Sequence, residues 1–122
     1  MQYCKPDPKD LVVVKFPFIL GEKGEIQKGR PAMVLSDDNM ARRYRDIILA
    51  AITSNIPQDI MEPEMILEPL ESTGLAKRSL LRLDFIMTIP EELISRKIGE
   101  LQRNLEKEVE YKLKKLFRIN GT

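Results

Sequence analysis

The sequence predicts a mainly β domain: a small barrel or sandwich of short strands followed by one C-terminal amphipathic helix. Three observations carry the β and helical parts of that reading. Short apolar runs, the first of them rich in β-branched residues, recur through most of the chain. The breaks between them hold proline, glycine and clustered charge. Only the last stretch changes to an apolar period of three and four residues. Short strands at this spacing, with no helical pattern between them, fit a barrel or sandwich better than alternating β-α units.

Residues 1–9 are polar, carry two prolines and read as an irregular leader; residues 10–122 read as a single domain. Leu11 to Phe16 is a first strand, which Pro17 ends or marks as an edge. Gly21 to Gly29 holds three glycines among mixed charges and reads as a mobile loop. Pro31 to Ser36 is a second apolar run, and Asp37 to Arg45 is polar again. Asp46 to Ser54 is a third strand, expected to be buried on both faces. Asn55 to Glu64 contains Pro57 and Pro63 and reads as irregular. Met65 to Leu70 is a weak edge strand demoted by Pro69, and Ser72-Thr73-Gly74 is a turn. Ser79 to Ile89 is one long strand, or two joined by a bend. Leu101, Leu105, Val109, Leu113 and Leu116 then form one helical stripe, which suits a core face better than a partner groove. Asn120-Gly121 is the expected stop.

Composition narrows the chemistry. At 122 residues and 43% hydrophobic content the chain can fill one core, and a domain this small gains from a partner subunit. The run Leu11 to Val14 is too short to cross a bilayer and no signal peptide precedes it, so a cytoplasmic protein without membrane contact is expected. The lone Cys4 can make neither an internal disulfide nor a zinc site. With no histidine, Ser-His-Asp and Cys-His chemistry and histidine-held metals are excluded. Proton transfer falls to carboxylates, Tyr, Lys, Arg or water. The formal charge of +1 gives no general pull on nucleic acid, although Arg42, Arg43 and Arg45 cluster, as do the basic residues after Leu101. Each cluster is either a phosphate-facing patch or a solvated face.

Five stretches, in order, resemble the MazF/PemK family of toxins: KFPF, GRPAMVLS (Gly29 to Ser36), AAITSN (Ala50 to Asn55), GLAKRSLLRLDFIMTIP (Gly74 to Pro90) and RKIGEL. Together with the final helix they span nearly the whole chain, from Lys9 to Phe117. The resemblance implies an SH3-like barrel with a C-terminal helix. It implies a toxin that cuts single-stranded RNA without a metal or other cofactor, leaving a 2′,3′-cyclic phosphate and a 5′-hydroxyl. The family's arginine in the RP motif and threonine in the IT motif fall on Arg30 and Thr53, and a loop acid found in some members falls on Glu25. Lys28, Ser54, Asn55 and Phe85 are the matching candidates for RNA binding. The resemblance further implies a homodimer and an antitoxin with a disordered acidic tail. Operator DNA would be bound only by the toxin–antitoxin complex.

RNA carries its own nucleophile, the 2′-hydroxyl, so cutting needs a proton acceptor, charge stabilisation on the phosphoryl oxygens and a donor to the leaving oxygen. Arg30 suits charge stabilisation, since its planar fork grips two oxygens. Deprotonating an arginine near neutrality costs about 7 kcal/mol, so Glu25 is the better base. Thr53 can donate its hydroxyl to a phosphoryl oxygen. Without the family match, Arg30 reads as a loop-end charge, Thr53 as strand packing and Glu25 as a solvated loop residue. The sequence departs from the family at Phe85 and Met87, where members often carry polar or basic residues that help recognise bases, so base preference does not transfer. Phe85 stacks on a base or, on the simpler reading, is buried in the barrel. Two other functions share the fold: a CcdB-like binding toxin that poisons gyrase, and a non-cleaving nucleic-acid-binding relative.

Overall fold

The structure, a computed structural model, describes residues 6–15 and 29–120. Six strands form one antiparallel sheet: β1 (Asp10–Lys15), β2 (Gly29–Val34), β3 (Asp46–Thr53), β4 (Glu64–Leu67), β5 (Ser79–Pro90) and β6 (Ile94–Glu100). Their spatial order is β4-β5-β3-β2-β1-β6, with β4 and β6 at the two edges. The architecture is the expected one, mainly β with a C-terminal helix, but the sheet is open rather than closed into a barrel. The helix α1 spans Glu106–Phe117.

Alternation along the strands gives the sheet an apolar cluster on each side. One cluster gathers Leu11, Met33, Ala50, Ile52, Met65, Leu67, Leu81 and Leu83, and α1 covers it through the fully buried Val109. The other gathers Val12, Val14, Ala32, Val34, Ile47, Leu49, Ile89 and Ile94. In β3, Ile47 and Leu49 serve one cluster while Ala50 and Ile52 serve the other, so the strand is buried on both faces as its sequence suggests.

β5 runs unbroken from Ser79 to Pro90, but its register slips against β3. Ala51 faces Arg82 while the preceding Ala50 faces Ile86, which leaves Leu83, Asp84 and Phe85 as extra residues on β5. An odd-numbered insertion reverses the side-chain alternation. Leu81 and Leu83 therefore point to the helix-covered cluster, whereas Met87 and Ile89 point to the other. Of the two alternatives the sequence left open, one long strand is the one observed, with a register slip and no break.

Three boundaries differ from the sequence reading. β6 reads poorly because only Ile94 of its seven residues is buried; it is an edge strand whose register with β1 is shifted twice. The helix starts at Glu106 rather than Leu101, because Leu101 packs from a loop and Arg103–Leu105 forms a 3-10 turn. Its stop is Arg118, left-handed at φ 56°, not Asn120-Gly121, of which Gly121 lies outside the described residues. The edge strand β4 does end ahead of Pro69, as that proline requires. At Gly74 the chain turns with φ 71°, and a Cβ there would meet the Ile98 carbonyl oxygen at 1.9 Å. Before β1, Pro6 is buried and the Lys9 N–H donates to the Val34 carbonyl at 2.7 Å. No helix among the described residues is long and apolar enough to cross a membrane.

Candidate functional site

Arg30 and Thr53 lie at the same end of neighbouring strands. The β2–β3 ladder pairs Val34 with Leu49, Met33 with Ala50 and Ala32 with Ala51. Two residues further in the same register stand Arg30 and Thr53. Their parity puts both on the sheet face that carries Ala32 and Ala51, since cross-strand partners share a face. Arg30 is exposed and held from the other side by pairing with Val14. Gly29 ahead of it lies close over β1: a Cβ there would stand 2.5 Å from Val13 Cγ1.

Thr53 ends β3, half-buried, and its Oγ1 accepts a hydrogen bond from the Asn55 backbone N–H at 3.1 Å. A hydroxyl has one proton and two lone pairs. With one lone pair engaged by Asn55, the rotor is biased and its proton remains available to an acceptor above the sheet. Ser54 and Asn55 continue from the strand end, both exposed. Glu25 and Lys28, and nearly all of the loop 21–29, lie outside the described residues.

β5 supplies a second group that the sequence reading did not single out. Leu80 pairs with Thr53 and Arg82 with Ala51, so Arg82 shares their face as the diagonal neighbour of Thr53, at a Cβ separation of roughly 7 Å. Its guanidinium is held twice by Asp84, Nε to Oδ1 at 3.3 Å and Nη2 to Oδ2 at 3.2 Å. It also lies 5.2 Å from the centroid of the Phe85 ring, within cation–π range. On β4, Glu64 faces Arg82, but its carboxylate accepts the Met61 N–H at 2.9 Å and closes the preceding turn.

Phe85 is not buried. Its side of the inserted segment faces solvent and the residue is 46% exposed, which corrects the barrel-interior reading. The physical reason is the slip: Phe85 stands between Leu83, which still faces the helix-covered cluster, and Met87, which already faces the other, so the strand's alternation carries it into neither core. Met87 lies beyond the slip, partly buried against the second cluster. Arg82 was legible only as a strand residue. A signal did exist in Arg-x-Asp-Phe, where an acid two residues on marks a stretch that departs from simple apolar alternation.

A family model described as "PemK-like, MazF-like toxin of type II toxin-antitoxin system" matches residues 7–117. Several solved structures share the fold. The Mycobacterium tuberculosis toxin MazF-mt6 superposes with a TM-score of 0.71 at 19% identity, over 92% of this chain and 99% of that one. An endoribonuclease from a mycobacterial species, in complex with its cognate antitoxin, gives 0.71 at 11% identity, over 96% and 99%. MazF from Deinococcus radiodurans gives 0.67 at 20% identity, over 94% and 98%. No curated protein matches the chain in sequence.

Proposed function

The chain belongs to the PemK-like, MazF-like toxins of type II toxin–antitoxin systems, and we propose that it is an endoribonuclease that cuts single-stranded RNA without a metal. The supporting observation is the convergence of Arg30 and Thr53 on one face at one end of neighbouring strands. Two of the structures that share its fold are described as endoribonucleases.

In this reading the RNA 2′-oxygen attacks the adjacent phosphorus as its proton passes to a base. The bond to the 5′-oxygen breaks, and that oxygen takes up a proton. A 2′,3′-cyclic phosphate and a 5′-hydroxyl result. Arg30 grips the phosphoryl oxygens and offsets the charge that grows on them. Thr53, its oxygen tethered by the Asn55 N–H, donates to one of those oxygens and fixes the phosphate. Glu25 is the base, on the intrinsic pKa of a carboxylate. Ser54, Asn55, Lys28 and Phe85 line the RNA path. The protein works in the cytoplasm as a homodimer and is restrained by an antitoxin whose acidic tail orders over this surface. Operator DNA is bound by that complex.

Purified protein in EDTA should cut a long unstructured RNA and leave cyclic phosphate ends; Arg30→Ala should abolish the cutting and Thr53→Ala should lower it by at least roughly a hundredfold. Intact RNA across several substrates would overturn the proposal. Gyrase recovered with the protein would point instead to a binding toxin.

A further inference from the structure

Resting on the nuclease reading above, we infer that Arg82, Asp84 and Phe85 form a base-reading subsite for an unpaired guanine beside the scissile phosphate. The argument begins with which edge of Arg82 is occupied. A guanidinium offers two paired-donor edges, a side edge through Nε and one Nη, and an end edge through Nη1 and Nη2. Asp84 fills the side edge with two hydrogen bonds, at 3.3 and 3.2 Å. The end edge remains a two-donor fork of fixed direction, on a side chain 37% exposed.

Two acceptor pairs in RNA fit such a fork: the oxygens of a phosphate, and O6 with N7 of guanine. The surroundings favour the base. The Asp84 carboxylate already offsets the charge of Arg82 and would repel a phosphate brought against the same guanidinium. A neutral base edge meets no such repulsion. The exposed ring of Phe85 lies 5.2 Å from the guanidinium carbon and offers a π-face that a phosphate cannot use. Stacking on the part of that ring left free beside the guanidinium is the second contact such a base would make. The slip in β5 makes this possible, because it turns Asp84 and Phe85 outward next to Arg82. Arg82 in turn is diagonal to Thr53, so a base in the subsite belongs to a nucleotide flanking the cut.

The chain contains no tryptophan, so Phe85→Trp introduces a single indole reporter. Titration with a short single-stranded RNA containing guanine, 2′-O-methylated to prevent cutting, should quench the indole. The same RNA with inosine keeps O6 and N7 and should behave alike, whereas 7-deazaguanine should bind roughly tenfold more weakly. Adding Arg82→Ala should remove the distinction between guanine and 7-deazaguanine. It should leave the salt dependence of binding unchanged, since a lost phosphate contact lowers the slope by about 0.7. In the cleaving protein, Arg82→Ala and Phe85→Ala should each relax the guanine preference at one position flanking the cut, with Arg82→Lys behaving as Arg82→Ala. Melting curves identify any variant that fails to fold, and Asp84→Asn, which keeps an acceptor, then serves as the milder change. RNA that binds, by anisotropy, with the indole unperturbed overturns the subsite and leaves the nuclease reading standing. A reduced salt slope for Arg82→Ala overturns it in favour of a phosphate contact. Failure of the unsubstituted protein to bind or cut any RNA overturns the nuclease reading and the subsite with it.

Discussion

At the scale of single residues, the site depends on what each side chain is already bonded to. Thr53 has its oxygen tethered by the Asn55 N–H at 3.1 Å, and its branched Cβ suits a strand position. The two roles separate by substitution. Thr53→Val keeps the β-branched shape and removes the donor, so cutting should fall roughly a hundredfold, the loss typical of one missing donor to a phosphoryl oxygen, with little change in melting temperature. Thr53→Ser should retain most activity. If the two variants cut equally well, the hydroxyl has no part in the reaction. Arg30 and Thr53 were legible only through the resemblance, because their individual environments are ordinary: an exposed strand-end cation and a half-buried β-branched residue. What makes them a pair is register, and register is a property of strands brought together from 23 residues apart. Phe85 escapes the sequence for the same reason, since Asp84 marks a break in the apolar alternation but not a slip of three residues against β3.

Among the elements, those with strong one-dimensional patterns were readable and those specified by contacts were not. β1 and β3 carry β-branched apolar runs, and β2 the apolar run Ala32, Met33 and Val34, which are satisfied between two apolar layers. β6, ISRKIGE, offers one buried residue and is fixed by backbone pairing to β1 and by Gly99, where a Cβ would stand 2.3 Å from the Thr73 carbonyl oxygen. The helix stop is informative because a residue with a side chain occupies a conformation that favours glycine. Arg118 sits at φ 56° and ψ 43°, and its N–H and that of Ile119 close on the carbonyls of Lys115 and Lys114. Arg118→Gly should therefore stabilise the protein by about 0.5–1 kcal/mol, read as a higher urea midpoint with an unchanged slope. Gly74→Ala should do the reverse by more than about 3 kcal/mol. Its φ of 71° is joined by backbone atoms of Ile98 in the space a Cβ would take, and a carbonyl cannot rotate away as a side-chain tip can.

For the whole molecule, the question is what holds α1 to the sheet. Two kinds of contact do so, and pH separates them. Val109 is fully buried in the cluster of Leu11, Met33 and Leu81. Around it, Lys9 reaches Glu110 at 2.7 Å and Lys115 reaches Glu62 at 2.9 Å, joining the helix to the turn before β1 and to the loop before β4. The hydrogen bond from Lys9 holds the Glu110 carboxyl below the usual carboxylate range, and Lys115 does the same for Glu62. A carboxyl whose folded pKa is lowered contributes stability that is present above its unfolded pKa, about 4.3, and is lost as pH falls through the lower folded value. The melting temperature should therefore owe these pairs nothing variable between pH 7 and about 5 and should decline below that. Lys9→Met should make the acid decline shallower. Lys97 behaves in the opposite sense: its hydrogen bond to Glu100, and then that to Asp10, raise it above its ordinary 10.5, so its contribution persists until pH rises through that raised value. Exposed pairs of this kind are individually weak, whereas burial of Val109 is indifferent to pH. Val109→Ala should cost about 2 kcal/mol at pH 7 and at pH 4 alike. Were Lys9→Met to destabilise the protein at pH 7 more than Val109→Ala does, the helix would be held by charge and not by its apolar stripe.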